Sequence, residues 1–149
     1  MSTISELGDS SEKMVFQPLK ILVVDDQVGV RSLFEILIRE EGDEAYIAQN
    51  GMEAVELACQ VIPDLVFMDV KMPLMGGIEA LERIKEVLPE TDVVIMTSYG
   101  AEETLTRAMQ KGALCFLAKP FDIGEIKEFI RRYRWKRAGV QATASGEYP

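Results

Sequence analysis

Apolar residues gather into four short, unbroken runs: Ile21-Leu22-Val23-Val24, Leu65-Val66-Phe67-Met68, Val93-Val94-Ile95-Met96 and Leu114-Cys115-Phe116-Leu117. Each is too short for a helix and is bounded by turn-forming residues, so each predicts a strand, the first three of them buried. A fifth run, 44–48, mixes polar and apolar residues and predicts a strand at a sheet edge. Between the runs the period changes. Val30, Leu33, Phe34, Leu37 and Ile38 recur at helical spacing and predict a first helix ending near Gly42. Ala54, Val55, Ala58 and Val61 predict a second, opened by Asn50 and Glu53 at capping-box spacing and stopped by Pro63. Ile78, Leu81, Ile84 and Leu88 predict a third, stopped at Pro89. Leu105, Ala108 and Met109 mark a weaker fourth, ending at Gly112. Ile123, Ile126, Ile130 and Tyr133 line a fifth, with Asp122 and Glu125 as another cap pair.

Strand and helix therefore alternate five times. Such alternation predicts an α/β fold, a doubly wound parallel sheet with helices on both faces. The flavodoxin-like strand order 2-1-3-4-5 fits, because it leaves the polar second strand outermost. Residues 19–137 form one domain on this reading, after a disordered lead-in at 1–18 and before a flexible tail at 138–149.

In a parallel sheet every strand's carboxyl end lies on one rim. Here the first strand runs into Asp25-Asp26, the third into Asp69, the fourth into Thr97 and the fifth into Lys119. Three carboxylates in one place repel one another and raise one another's proton affinity. A hard divalent cation relieves this, and oxygen-only ligands suit Mg²⁺ or Mn²⁺. A hydroxyl at Thr97 and an ammonium at Lys119 add what a transferring phosphoryl group needs. An aspartate can itself be the nucleophile. Any one of these residues alone reads as a helix cap or a turn; their meeting on one rim makes a site.

Composition narrows the chemistry. The 149 residues hold 16 Lys+Arg against 25 Asp+Glu, a net charge of −9, which argues against nonspecific binding to nucleic acid. There is no histidine, which excludes a His-based zinc site, a His general base and a phosphohistidine on this chain. Cys59 and Cys115 lie in apolar segments and read as buried thiols in a reducing cytoplasm. No apolar run reaches the length of a membrane span, and the N-terminus has no signal-peptide pattern. The basic run 131–137 reads as a solvated face at a helix C-terminus, where cations suit the dipole.

Asp25-Asp26, Met68-Asp69-Val70-Lys71-Met72-Pro73, Thr97-Ser98 and Lys119-Pro120 together resemble the receiver domain of two-component response regulators. The resemblance implies that Asp69 accepts a phosphoryl group from a phosphohistidine on a histidine kinase or histidine-phosphotransfer protein. It implies Mg²⁺ bound directly by Asp26 and Asp69, with Asp25 acting through water and the Lys71 carbonyl as a further ligand. It gives Thr97 and Lys119 the phosphoryl oxygens, makes Thr97 and position 116 the switch pair, and makes the Lys119-Pro120 bond cis. Val-Asp-Asp-Gln with Gly29 and Arg31, Met-Thr-Ser-Tyr-Gly at 96–100 and Lys-Pro-Phe-Asp-Ile at 119–123 are shared with single-domain regulators of the sporulation phosphorelay type, as are Lys71 and Tyr99. In that type Gln27, Val30 and Leu33 would dock on the histidine-bearing bundle.

Two positions depart from the pattern. Phe116 replaces the usual switch tyrosine or histidine, so a hydrogen bond from that ring is absent. Gly76 replaces an aspartate that would cap the third helix. With no output domain in the sequence, the signal is expected to leave by onward phosphotransfer to a downstream protein or by docking on a target. A Mg²⁺-dependent phosphohydrolase is disfavoured, because Val70 and Lys71 stand where a second carboxylate would be needed. A flavin or nucleotide binder is disfavoured by the acidic, glycine-poor first turn.

Overall fold

A computed structural model describes residues 17–98 and 101–139. Ten elements alternate without exception: β1 (Lys20–Val24), α1 (Val28–Glu40), β2 (Glu44–Ala48), α2 (Gly51–Val61), β3 (Leu65–Asp69), α3 (Gly77–Val87), β4 (Asp92–Thr97), α4 (Glu102–Gln110), β5 (Cys115–Ala118) and α5 (Ile123–Arg137). The sheet is parallel throughout, in the order β2-β1-β3-β4-β5. The lead-in at 1–18 and the tail at 138–149 fall almost wholly outside the described residues, as do Tyr99 and Gly100.

The strand period of two divides the core. Ile21, Val23, Leu65, Phe67, Val94 and Met96 face α1 and α5. Leu22, Val24, Val66, Met68, Val93 and Ile95 face α2, α3 and α4. β3 is buried at all five positions, as its unbroken run predicts. On the first face Phe67 sits between Phe34 and Phe129, with ring centroids 5.0 and 5.7 Å away.

Helix ends follow their caps, with one variation. Asp122 and Glu125 form a complete capping box on α5. Asn50 caps α2 by accepting from the Glu53 amide at 2.8 Å, but the Glu53 carboxylate takes the Gln49 amide instead of that of Asn50. Gly76 gives α3 no side-chain cap, as its sequence implies.

Three expectations need correction. Cys59 is exposed, not buried, because α2 turns Ala54 and Ala58 inward and Cys59 lies one residue beyond that stripe. Cys115 is half-buried on the edge strand β5, and burial pushes its thiol up to about 11. The basic run is only partly solvated. Arg131 binds Glu41, Arg134 forks onto Asp43 and Arg137 binds Asp64, while Arg132 stays on the surface. Asp43, whose side chain is fully buried, also accepts the Leu19 amide at 2.9 Å. These arginines fasten α5 to the loops at the sheet's amino edge, the edge away from the strand ends that carry Asp69.

Candidate functional site

The groups predicted for the rim arrive there from the ends of four strands, β1, β3, β4 and β5. β1 delivers Asp25, whose amide still pairs with the Ala48 carbonyl at 3.2 Å. Asp25 is fully buried, and both its carboxylate oxygens are held: Oδ1 accepts the Gln27 amide at 3.0 Å and Oδ2 accepts the Lys119 ammonium at 2.9 Å. Arg31 donates to the Asp25 carbonyl at 2.8 Å, which fixes the turn from the α1 side. Asp26, the next residue, is exposed. β3 ends on Asp69, whose Oδ1 accepts the Val70 amide at 2.9 Å and the Lys119 ammonium at 3.3 Å. Among the described residues no protein donor meets Asp69 Oδ2 or either oxygen of Asp26.

Carboxylate oxygens of Asp25, Asp26 and Asp69 lie within 4.8 Å of one another. The donor set is oxygen only, and one ammonium cannot neutralise three carboxylates. A hard divalent cation fits that chemistry. Burial, followed by the charge of Asp25, raises the Asp69 carboxyl above its ordinary value, and Lys119 opposes the rise. At Lys119 burial works against the ammonium, but the Asp25 hydrogen bond and both carboxylate charges outweigh it and raise its proton affinity.

Asp26, Asp69, Lys71, Thr97 and Lys119 line one cavity of about 550 Å³, together with Gln27, Ser98 and Thr104. Thr97 closes β4, 6% exposed, and its carbonyl accepts the Lys119 amide at 2.7 Å. That bond sets the register between the hydroxyl and the ammonium. The Lys119-Pro120 bond is cis. Gly77 backs the site from below: a Cβ there would collide with the Asp69 carbonyl, so α3 approaches β3 more closely than any other residue would allow.

Phe116 stands apart from this cavity. It is 45% exposed on β5, over an apolar hollow shared with Leu105, Met109 and Cys115. On α1, Val30 and Leu33 are half-buried and pack against the core. The openly exposed apolar residues of that helix are Val28 and Ile36, at 66% and 56%. The helical spacing of 30, 33, 34, 37 and 38 does not include them; eight residues apart, they lie about 80° from one another around the helix axis.

The chain has close counterparts. A profile of the response regulator receiver domain matches residues 21–131. Sporulation initiation phosphotransferase F of Bacillus subtilis (strain 168) is 42% identical over 114 residues, covering 76% of this chain and 92% of that protein. Chemotaxis protein CheY of Halobacterium salinarum is 39% identical, covering 74% of this chain and 92% of that one. Regulatory protein AtoC of Escherichia coli is 37% identical over 76% of this chain, but the match spans only 24% of its length. Among solved structures, the chemotaxis response regulator CheY4 of Vibrio cholerae superposes with a TM-score of 0.73 at 26% identity, over 78% of this chain and 98% of that one. Matched by that profile over most of its length, and 42% identical to a relative of which it covers 92%, the chain belongs to the response regulator receiver domain family.

Proposed function

We propose that this receiver accepts a phosphoryl group on Asp69 from a phosphohistidine protein and passes it on as a phosphorelay intermediate. The observation that carries the reading is the cluster of Asp25, Asp26 and Asp69 carboxylates, with Asp25 and Asp69 held by the Lys119 ammonium, beside a cavity that Thr97 also lines. In the step itself, an Asp69 oxygen forms a bond to phosphorus while the phosphorus–nitrogen bond of phosphohistidine breaks. The imidazole nitrogen leaves with the electron pair.

Mg²⁺, or Mn²⁺, is the cofactor the residues fit. When bound it supplies charge neutralisation for the incoming phosphoryl oxygens. Asp26 and Asp69 are the direct ligands in this reading, Asp25 acts through water, and the Lys71 carbonyl completes the protein's share. Asp25 suits the indirect role because both its oxygens are already engaged. Lys119 holds Asp69 in place before transfer and neutralises the phosphoryl group after it. Thr97 donates its hydroxyl to a phosphoryl oxygen, and Phe116 responds by turning its ring, without a hydrogen bond of its own.

The donor docks over α1. Gln27, Val30 and Leu33 belong to that surface, and the exposure of Val28 and Ile36 extends it. The likeness to sporulation initiation phosphotransferase F, over 92% of that protein, supports onward transfer. A net charge of −9 disfavours nucleic acid as a partner, and two free thiols suit the cytoplasm. No helix among the described residues is long and apolar enough to cross a membrane.

A second reading is signalling by docking on a target. The exposed Phe116 beside an apolar hollow favours it, as does the likeness to chemotaxis protein CheY. Reverse transfer decides between the two. Phosphorylated protein is mixed with histidine-phosphotransfer proteins of the source genome. Phosphoryl appearing on one of them supports the relay, and its absence from all supports target docking.

A further inference from the structure

Leu74 is 78% exposed, the highest value among the exposed large apolar residues described. Its φ is 70°, in the left-handed region that side chains rarely occupy. It packs in neither half of the core. A glycine would satisfy this backbone without strain and without exposing an apolar side chain. The fold therefore gains nothing from leucine here, and strained residues that serve no packing role gather at functional sites.

Position says which function. The loop 70–76 leaves β3 directly after Asp69. It closes at its base where the Gly77 amide meets the Val70 carbonyl at 2.8 Å. It is braced within by Met75 N–H to the Pro73 carbonyl at 2.8 Å and from α2 by Gly51 N–H to the Met75 carbonyl at 3.0 Å. Val70 and Lys71, at its start, line the Asp69 cavity. Leu74 thus stands exposed on a braced loop whose first two residues line that cavity, three positions beyond Lys71. The Asp69 side chain is only 12% exposed, so a protein that delivers phosphoryl from a histidine must press its surface onto this rim. The polar residues around the cavity suit register and charge; an apolar side chain held outward among them suits affinity.

We propose that Leu74 is a partner-recognition residue, which the strained loop holds outward to enter an apolar hollow beside the donor's phosphohistidine. The inference rests on Asp69 being the phosphoryl acceptor.

Leu74→Gly and Leu74→Asn keep the left-handed backbone and remove the apolar side chain. The full-length variants are compared with wild type in three measurements. The first is kcat/KM for transfer from the autophosphorylated histidine kinase that profiling identifies as donor. The second is the rate of phosphorylation by phosphoramidate, a small donor with no surface to dock. The third is Tm. Transfer from the kinase should fall about tenfold or more, as when an interface anchor is removed. Phosphoramidate should act within about twofold of its wild-type rate. Tm should stay level or rise, because glycine and asparagine accept this φ. Kinase transfer within about twofold of wild type in both variants overturns the proposal. So does an equal slowing of both routes, which would mean that Leu74 shapes the cavity. A wild-type protein that takes no phosphoryl from phosphoramidate would instead remove the assignment of Asp69.

Discussion

The Lys119 ammonium donates to Asp25 Oδ2 at 2.9 Å, joining residues 94 apart in the chain. The same nitrogen lies 3.3 Å from Asp69 Oδ1. One cation thus ties the buried carboxylate at the end of β1 to Asp69 at the end of β3. A phosphoryl group on Asp69 adds negative charge on one side of that cation and changes the balance. Lys119→Ala should therefore leave Mg²⁺ binding intact, since it removes a cation and no ligand. It should impair the conformational response to phosphorylation. Calorimetric titration with Mg²⁺ checks the first half, and complete loss of affinity would give Lys119 a different role.

Asp69 pays for its position in stability. Burial and the neighbouring Asp25 raise its carboxyl, so the folded state holds that proton more tightly than the unfolded chain does. Its contribution is most favourable below the unfolded carboxyl range and is lost as pH rises through the raised value. In metal-free buffer near neutral pH, Asp69→Asn should therefore stabilise the fold. The gain should shrink as pH falls. Urea melts of both proteins at several pH values measure it, and a destabilised Asn variant would show that the ionised carboxylate is well compensated.

On α1, half-buried and exposed residues should separate. Val28→Ala and Ile36→Ala remove exposed side chains and should cost less than about 0.5 kcal/mol of stability. Both should slow transfer from a phosphohistidine protein. Leu33→Ala, which also touches the core, should cost about 1–2 kcal/mol and slow transfer as well. None should alter phosphorylation by a small donor. Paired stability and transfer assays read the difference, and a slowed small-donor reaction would place these residues in the core's support of the site.

At the opposite edge, Arg134→Ala strips the partner from Asp43, whose side chain is fully buried. Leaving that carboxylate with the Leu19 amide should cost about 3 kcal/mol or more. Arg132→Ala breaks only a surface pair with Glu128 and should cost less than about 0.5 kcal/mol. Neither should change Mg²⁺ affinity. Equal, small losses in both would mean that the basic run is a solvated face after all.

The strands and the rim were legible because both follow from local signals, and the order 2-1-3-4-5 because the polar second strand suits a sheet edge. Unbroken apolar runs at 21–24, 65–68 and 93–96 form buried strands, and Asp25, Asp69 and Thr97 directly follow them. What was not legible depended on rotation about a helix axis or on distant partners. Cys59 and Val55 lie four residues apart on α2, yet one is exposed and the other half-buried, because the helix seats itself on Ala54 and Ala58. Arg134 looks like its neighbours in a basic run; only the fold brings Asp43 to it from 91 residues away. Val28 and Ile36 stand outside the periodic stripe of α1, and their open exposure depends on how the helix seats on the sheet.

Intact-mass analysis after treatment with phosphoramidate, with and without Mg²⁺, tests the central claim most directly. Wild-type protein should gain one phosphoryl group when Mg²⁺ is present and almost none when it is chelated. Asp69→Asn should gain none under either condition. Full phosphorylation of Asp69→Asn, or equal phosphorylation of the wild type with and without the metal, would contradict the account.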